Sequence, residues 1–323
     1  MTSPPGTAPS SPTTVSPAKV WSALAIVYVV WGSTYLAIRV TVETMPPLLS
    51  AAARFAIAAT VLAVVLTVRK GGAAALRLRP REFGSAALVG VLLLGGGNGL
   101  VVLAESGPPG KAVPSGMAAL LIATVPLLIV VFRAVAGDRP APATVGGVLI
   151  GFVGLGLLTL PAGGVPAVPV GGALTLITAS ASWAFGSVLS ARLPMPRDPF
   201  VASVYEMIAG ALLLGAAGLG RGEERGLDLG AVSTRSWVAL AYLALAGSVV
   251  AFTAYAWLLQ NAPISLAATY AYVNPVVAVL LGALLLAEAV TVRVLVGGLV
   301  IVVGVAVVVT VERPRRAPDS DQP

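Results

Sequence analysis

Ten runs of about 20 mostly apolar residues recur along this chain, and they leave few folds open to it. They fall near 20–40, 47–68, 84–104, 113–136, 143–161, 169–192, 199–219, 236–259, 263–287 and 291–311. The hydrocarbon core of a bilayer is ~30 Å thick and a helix rises ~1.5 Å per residue, so each run is long enough to cross it once. The links are short and dense in proline and glycine, as in Met45-Pro46-Pro47, Gly107-Pro108-Pro109-Gly110 and Leu193-Pro194-Met195-Pro196. Such links stop helices and leave no room for a domain outside the membrane. Only 10% of the residues are charged, against roughly 25% in soluble domains. The pattern predicts an all-α, multi-pass membrane protein. Residues 1–19, rich in Pro, Ser and Thr, and residues 313–323 are expected to be tails, the first of them disordered. The run 20–40 is too long for a signal-peptide core and lacks a small-residue cleavage site, so it is expected to remain as a helix.

What is missing narrows the chemistry. There is no cysteine and no histidine, which removes thiolate nucleophiles, the usual zinc ligands and the commonest general base. No cofactor and no metal is expected. The net charge of +7 comes from Arg and Lys scattered between apolar runs, so it marks topology and not a nucleic-acid surface. With both termini cytoplasmic, the inner side receives Lys19, Arg69, Lys70, Arg77, Arg79, Arg81, Arg133, Arg139, Arg192, Arg197, Arg313, Arg315 and Arg316. The outer side receives Arg39, Lys111, Arg221, Arg225, Arg235 and Arg293. Thirteen against six is the asymmetry expected when short basic loops stay inside. The ratio of three Lys to seventeen Arg points to a GC-rich bacterial genome, and so to a bacterial plasma membrane.

The two halves of the chain can be laid over one another. At an offset of 152, Trp31 meets Trp183, Pro47 meets Pro199 and Arg54 meets Glu206; at 149, Pro114 and Pro126 meet Pro263 and Pro275; at 151, the stretch from Gly146 to Ile150 meets Gly297 to Ile301. Matches are easy among helices rich in Val, Ala and Gly, but these keep their order along the chain. Five helices per repeat is an odd number, so the second copy enters the membrane upside down. Inverted repeats that enclose a site are an architecture of secondary transporters, because exchanging the conformations of the halves exposes the site to alternate sides.

Several motifs carry a family resemblance. Trp31-Gly32-Ser33-Thr34-Tyr35, Pro46-Pro47 leading to Arg54-Phe55, Gly97-Asn98-Gly99, Val113-Pro114-Ser115-Gly116 through Ala123-Thr124-Val125-Pro126, Ser182 to Ser187, and Tyr270-Ala271-Tyr272-Val273-Asn274-Pro275 resemble the EamA family of the drug/metabolite transporter superfamily, over residues 20–312. The resemblance implies ten helices, repeats at 20–161 and 162–312, and efflux of small metabolites or amino-acid-like compounds. The link from Glu105 to Lys111 and the Pro-rich N-terminal tail look atypical of it.

Candidate solute-pathway residues are the polar, aromatic and helix-breaking positions at mid-span. Trp31, Thr34 and Tyr35 share one helical face, as do Trp183, Gly186, Ser187 and Ser190. Both tryptophans sit too deep for interfacial anchors, which leaves helix packing or symmetry-related cavity walls. Asn98 lies in Gly95-Gly96-Gly97-Asn98-Gly99; no Gly-Lys-Ser/Thr follows, so this is no phosphate loop, and close helix packing is the favoured reading. Pro126 and Pro275 each free a carbonyl one turn earlier, at Ile122 and Ala271. With Tyr270 and Asn274 they mark either kinks or the pathway. Arg54 and Glu206 are charges well inside predicted spans, where each costs roughly 2.5 to 3.5 kcal/mol unless a partner, water or a function holds it. Repeat symmetry puts Arg54 in the outer third, suited to an anionic group or to bracing the outer gate. It puts Glu206 in the inner third, suited to a cationic group or a coupling proton. The alternative is that each is satisfied by nearby backbone or hydroxyl groups, or snorkels to water. Glu105 and Glu288, at helix ends, are expected to be solvated.

The functional expectation is a secondary transporter of small organic solutes, in the direction of efflux, with the solute and the bilayer as its partners and no nucleic acid. Uptake by the same fold, an integral-membrane transferase and an assembly protein are the alternatives.

Overall fold

The computed structural model describes residues 16–108, 111–159, 168–262, 266 and 269–311. Residues 1–15 and 312–323, the junction between the expected repeats at 161 and 162, and Pro263 of the proline match lie outside the described residues; residues 17–19 of the expected N-terminal tail belong instead to the first helix.

The described residues form helices and no strand. They build ten rods: α1 (Pro17–Thr41), α2 (Pro47–Arg69), α3 (Pro80–Gly90, Val91–Asn98 and Gly99–Glu105 end to end), α4 (Ser115–Ile122 and Val125–Val135), α5 (Pro142–Thr159), α6 (Val170–Ser190), α7 (Pro199–Gly220), α8 (Thr234–Tyr242, Leu243–Val250 and Ala251–Asn261), α9 (Tyr270–Leu286) and α10 (Val292–Val311). Nine have the length and hydropathy to cross a membrane, and α9, with 17 residues, is the shorter apolar tenth. Five open on proline, at the position where a missing N–H costs a helix nothing. Large apolar side chains point outward along them, Val68, Leu212, Leu284 and Val292 among those at 70% exposure or more. A surface of this kind is matched by lipid.

The packing repeats when every helix number is advanced by five. Helix α1 lies against α8 and α9, and α6 lies against α3 and α4; α3 packs on α7, and α8 on α2. The remaining large contacts join equivalent helices, α2 to α7, α4 to α9 and α5 to α10. Equivalent helices run antiparallel: Gly218 sits at Leu49 and Gly215 at Ala52, whereas Val201 and Val204 cluster with Leu62 and Leu66 at the other end of the same pair. The repeats are therefore inverted. A local feature follows the same relation, because the π-helical turns Val91–Asn98 and Leu243–Val250 lie 152 residues apart at both ends.

Glycine sets the closest approach. In α5 and α10, a Cβ on Gly304 would meet Gly147 O and Gly151 Cα at 2.7 Å, and one on Gly154 would meet Ile301 N at 2.6 Å. These are backbone atoms that cannot swing aside. Lipid supplies no hydrophobic drive between helices, so backbone contact of this kind holds them.

The expectation that Glu105 and Glu288 are solvated is overturned. Glu105 is 0% exposed, because the chain after α3 folds back, Val113 N donating to Ala104 O at 2.8 Å, and Arg39 Nη1 donates to the Glu105 main-chain carbonyl. The Glu288 carboxylate accepts from Ser115 N at 2.7 Å and Gly116 N at 3.0 Å, so it caps α4, whose first amides have no partner within the helix. Glu223 does the same for α2, accepting from Leu48 N and Leu49 N at 3.0 Å.

At the opposite end, Asp198 caps α7 through Phe200 N at 2.9 Å and pairs with Lys70. Burial alone would raise this carboxyl, but the bonds from Lys70 and the Phe200 amide outweigh it and hold it below the usual carboxylate range. A depressed folded pKa stabilises above the unfolded value and loses that contribution as pH falls through the folded one. Asp198→Ala is expected to cost about 1 kcal/mol at neutral pH and less in acid, read as a shift of the thermal midpoint in detergent. Equal midpoints at neutral pH would contradict the cap.

Candidate functional site

A cavity of about 440 Å³ opens between the repeats, lined by α1, α2, α3, α4, α6, α7, α8 and α9. Of the twelve candidate pathway residues, eleven line it: Trp31, Thr34, Tyr35, Arg54, Asn98, Pro126, Trp183, Ser187, Tyr270, Asn274 and Pro275. Glu206 does not. Its neighbour Met207 lines the cavity, and consecutive helical residues point about 100° apart. The Glu206 main chain packs on Gly90 of α3, its side chain is half-buried, and no hydrogen bond reaches its carboxylate among the described residues. Arg54 and Glu206 form no ion pair, as their positions along antiparallel helices predict.

The two π-helical turns shape the walls. Such a turn leaves carbonyls out of the regular ladder, and each is met by the first helix of the other repeat. Trp31 Nε1 donates to Gly247 O at 3.1 Å in α8, and Ser182 Oγ donates to Leu92 O at 2.7 Å in α3. Trp183 packs against Gly97, where a Cβ would collide with its ring. The tryptophans thus serve packing and wall at once. Around Trp31 stand Phe252, Tyr255 and Tyr270, with ring centroids at 5.9, 5.1 and 5.1 Å. These spacings fall within the range of favourable edge-to-face and tilted pairs.

Against this apolar, aromatic wall stands a single buried cation. Arg54 is 7% exposed; its Nε donates to Ser248 Oγ at 3.0 Å, and its guanidinium carbon lies 4.8 Å from the centre of the Phe55 ring. No carboxylate among the described residues pairs with it. Ser248 in turn donates to Leu243 O, five residues back, at 3.0 Å, so the π-helical turn of α8 fixes the hydroxyl that holds the guanidinium. Asn98 faces the cavity, and Asn274 Oδ1 is buried without a hydrogen-bond partner among the described residues. Pro126 divides α4, the chain turning at Ala123 and Thr124, while Pro275 lies inside a continuous α9. Ile122 and Ala271, whose carbonyls these prolines free, both line the cavity. Sequence reading missed Ser248, Phe252 and Tyr255; Ser248 is a hydroxyl at the middle of the apolar run 236–259, the signal that would have found it.

The contacts that obey the repeat are broken at one end. Helix α1 packs on the Ser115–Ile122 half of α4 and on Gly99–Glu105 of α3, but α6 has no comparable contact with α9 or α8 among the described residues. The cavity is therefore closed at the end that holds Thr41, Glu105 and Ser115. Among the described residues no matching closure is seen toward the end where α1 begins and α10 finishes.

Two inverted five-helix repeats around a central cavity define a membrane protein of the secondary-transporter architecture. The chain belongs to the EamA-like transporter family, whose profile it matches twice, over residues 19–160 and 170–310. It is 41% identical over 264 residues to the inner membrane transporter YedA of Escherichia coli strain K12, covering 81% of each chain. It is 24% identical over 274 residues to a transporter of Archaeoglobus fulgidus, covering 84% of this chain and 92% of the other. A crystal structure with a TM-score of 0.62 and 23% identity spans 92% of this chain and 99% of its own, a likeness of fold.

Proposed function

We propose that this chain is a secondary transporter that moves small organic anions with an apolar or aromatic body out of a bacterial cell by alternating access. The observation that carries this reading is Arg54, a buried guanidinium with no acid paired to it among the described residues, set against an aromatic wall in the cavity between inverted repeats. A buried charge needs a partner. A solute carboxylate, sulfonate or phosphate supplies one, and rings supply apolar contact. Asn98 and Asn274 offer amides to the solute's other polar groups. Efflux is the direction of the metabolite exporters that the sequence motifs resemble; uptake would use the same cavity. Glu206, away from the cavity wall, has no part in holding the solute in this reading.

Purified protein mixed with benzenesulfonate, its neutral analogue benzenesulfonamide and benzylammonium tests the reading. Benzenesulfonate is expected to raise the thermal midpoint and change tryptophan fluorescence, and benzylammonium to do neither. Equal responses to all three would overturn the anion preference. Orientation is tested separately. The chain carries no cysteine, so Ala75→Cys is expected to resist an impermeant thiol reagent in intact cells and react after permeabilisation. Labelling in intact cells would contradict cytoplasmic termini.

A further inference from the structure

One buried acid lies outside the cavity wall. Glu105 ends α3 one helical turn beyond Val101, which lines the cavity. It is 0% exposed, and neither carboxylate oxygen has a hydrogen-bond partner among the described residues. The elements around it supply few groups that could compensate a charge. From α1 come Tyr35 and Arg39, but Arg39 Nη1 donates to the Glu105 main-chain carbonyl. Beyond α9 comes Glu288, a second acid, already committed to Ser115 N and Gly116 N. From α4 comes Ser115, whose Oγ is itself buried without a partner. Helix α2 offers Arg54, held on Ser248, and α6 has no titratable side chain.

A carboxylate stripped of water and facing another acid is costly to keep charged. A metal ion would need a shell of several oxygen ligands, and the cavity does not reach Glu105. A proton needs no room. This corner is also the closed end of the cavity, where α1 meets α3 and α4 and where Glu288 ties the second repeat to the first. Parting α4 from α1 to open that end would bring water to Glu105 and free Arg39 to turn toward its carboxylate.

We propose that Glu105 is a proton-binding site that latches the outer gate. With the gate closed, the carboxyl holds its proton; as the gate opens, the O–H bond breaks, the proton passes to outside water and the carboxylate remains beside Arg39. The proposal rests on the alternating-access reading above.

The test uses the full chain in lipid nanodiscs, with Ser115→Cys as the reporter of gate opening. Its maleimide labelling rate is measured from acid to alkaline pH with Glu105 present and with Glu105→Gln. The ratio of the two rates cancels the thiol's own titration. That ratio is expected to rise about ten-fold per pH unit while the site titrates, as a one-proton equilibrium requires. In the infrared, the acid-minus-alkaline difference spectrum is expected to show a carboxylic C=O band that Glu105→Gln removes and Glu288→Gln keeps. A flat ratio, or a band that survives Glu105→Gln, overturns the proposal. Loss of the band on adding sodium at constant pH overturns it in favour of a metal-ion site. Should Glu105→Gln fail to fold, Glu105→Asp is expected to shift both the band and the labelling midpoint, and an unshifted pair overturns the proposal. None of these readouts is solute flux, so a protein that shows them yet carries no solute fails only the transport reading.

Discussion

Arg54→Gln is expected to weaken benzenesulfonate binding roughly 30- to 700-fold, about 2 to 4 kcal/mol, while leaving the weaker binding of benzenesulfonamide unchanged. The size follows from burial. Among the described residues that line the cavity Arg54 is the one cation; it is 7% exposed and is held in place by Ser248, so its attraction for an anion is little screened. Glutamine keeps much of the side chain's length and polarity but not its charge. Ser248→Ala is expected to act in the same direction and less strongly, because it loosens the guanidinium without removing it. Titration of tryptophan fluorescence reads both variants. An Arg54→Gln protein that binds benzenesulfonate as the parent does would show that the anion sits elsewhere.

The largest effect on stability is expected at the crossing of α5 and α10. Gly304→Leu would drive a side chain into Gly147 O and Gly151 Cα, each 2.7 Å from the first carbon alone. The helices must then separate, and the loss is expected to be at least about 3 kcal/mol, with Gly304→Ala costing about 1 to 3 kcal/mol. Gly146→Ala is the control. It lies on the same helix as Gly147 with nothing within 4 Å of its added carbon, and its effect is expected to stay within about 0.5 kcal/mol. Unfolding in mixed micelles separates these cases, and equal stability of Gly304→Leu and Gly146→Ala would refute the backbone contact.

Much of the architecture was legible because lipid simplifies the rules. A span must be apolar, so its length reads directly, and any polar or aromatic residue at mid-span needs a reason. That logic selected Trp31, Arg54, Asn98, Trp183 and Asn274, which the fold brings to one cavity. The inverted repeat was legible for the same reason, since Trp31 and Trp183 take mirrored places against the two π-helical turns. Glu206 met the same criterion and lies off the cavity wall. A position along a span fixes depth, but direction around the helix depends on neighbours that only the packing reveals. Glu105 and Glu288 fail in the other direction. Placement at a helix end implies water, unless the next link folds over it and a foreign helix offers its amides, as α4 does to Glu288. The π-helical turns were not legible either, because Leu, Ala and Gly suit ordinary helix and π-helix alike, and contact with α1 and α6 accompanies the choice.

Counterflow of benzenesulfonate in liposomes reconstituted with the full chain tests alternating access around Arg54 most directly. Vesicles loaded with unlabelled benzenesulfonate are placed in a trace of the labelled compound, and uptake is followed against protein-free vesicles. Alternating access between inverted repeats predicts a transient, saturable accumulation of label that Arg54→Gln abolishes. Uptake in the parent no faster than in protein-free vesicles, or an undiminished overshoot in Arg54→Gln, would contradict it.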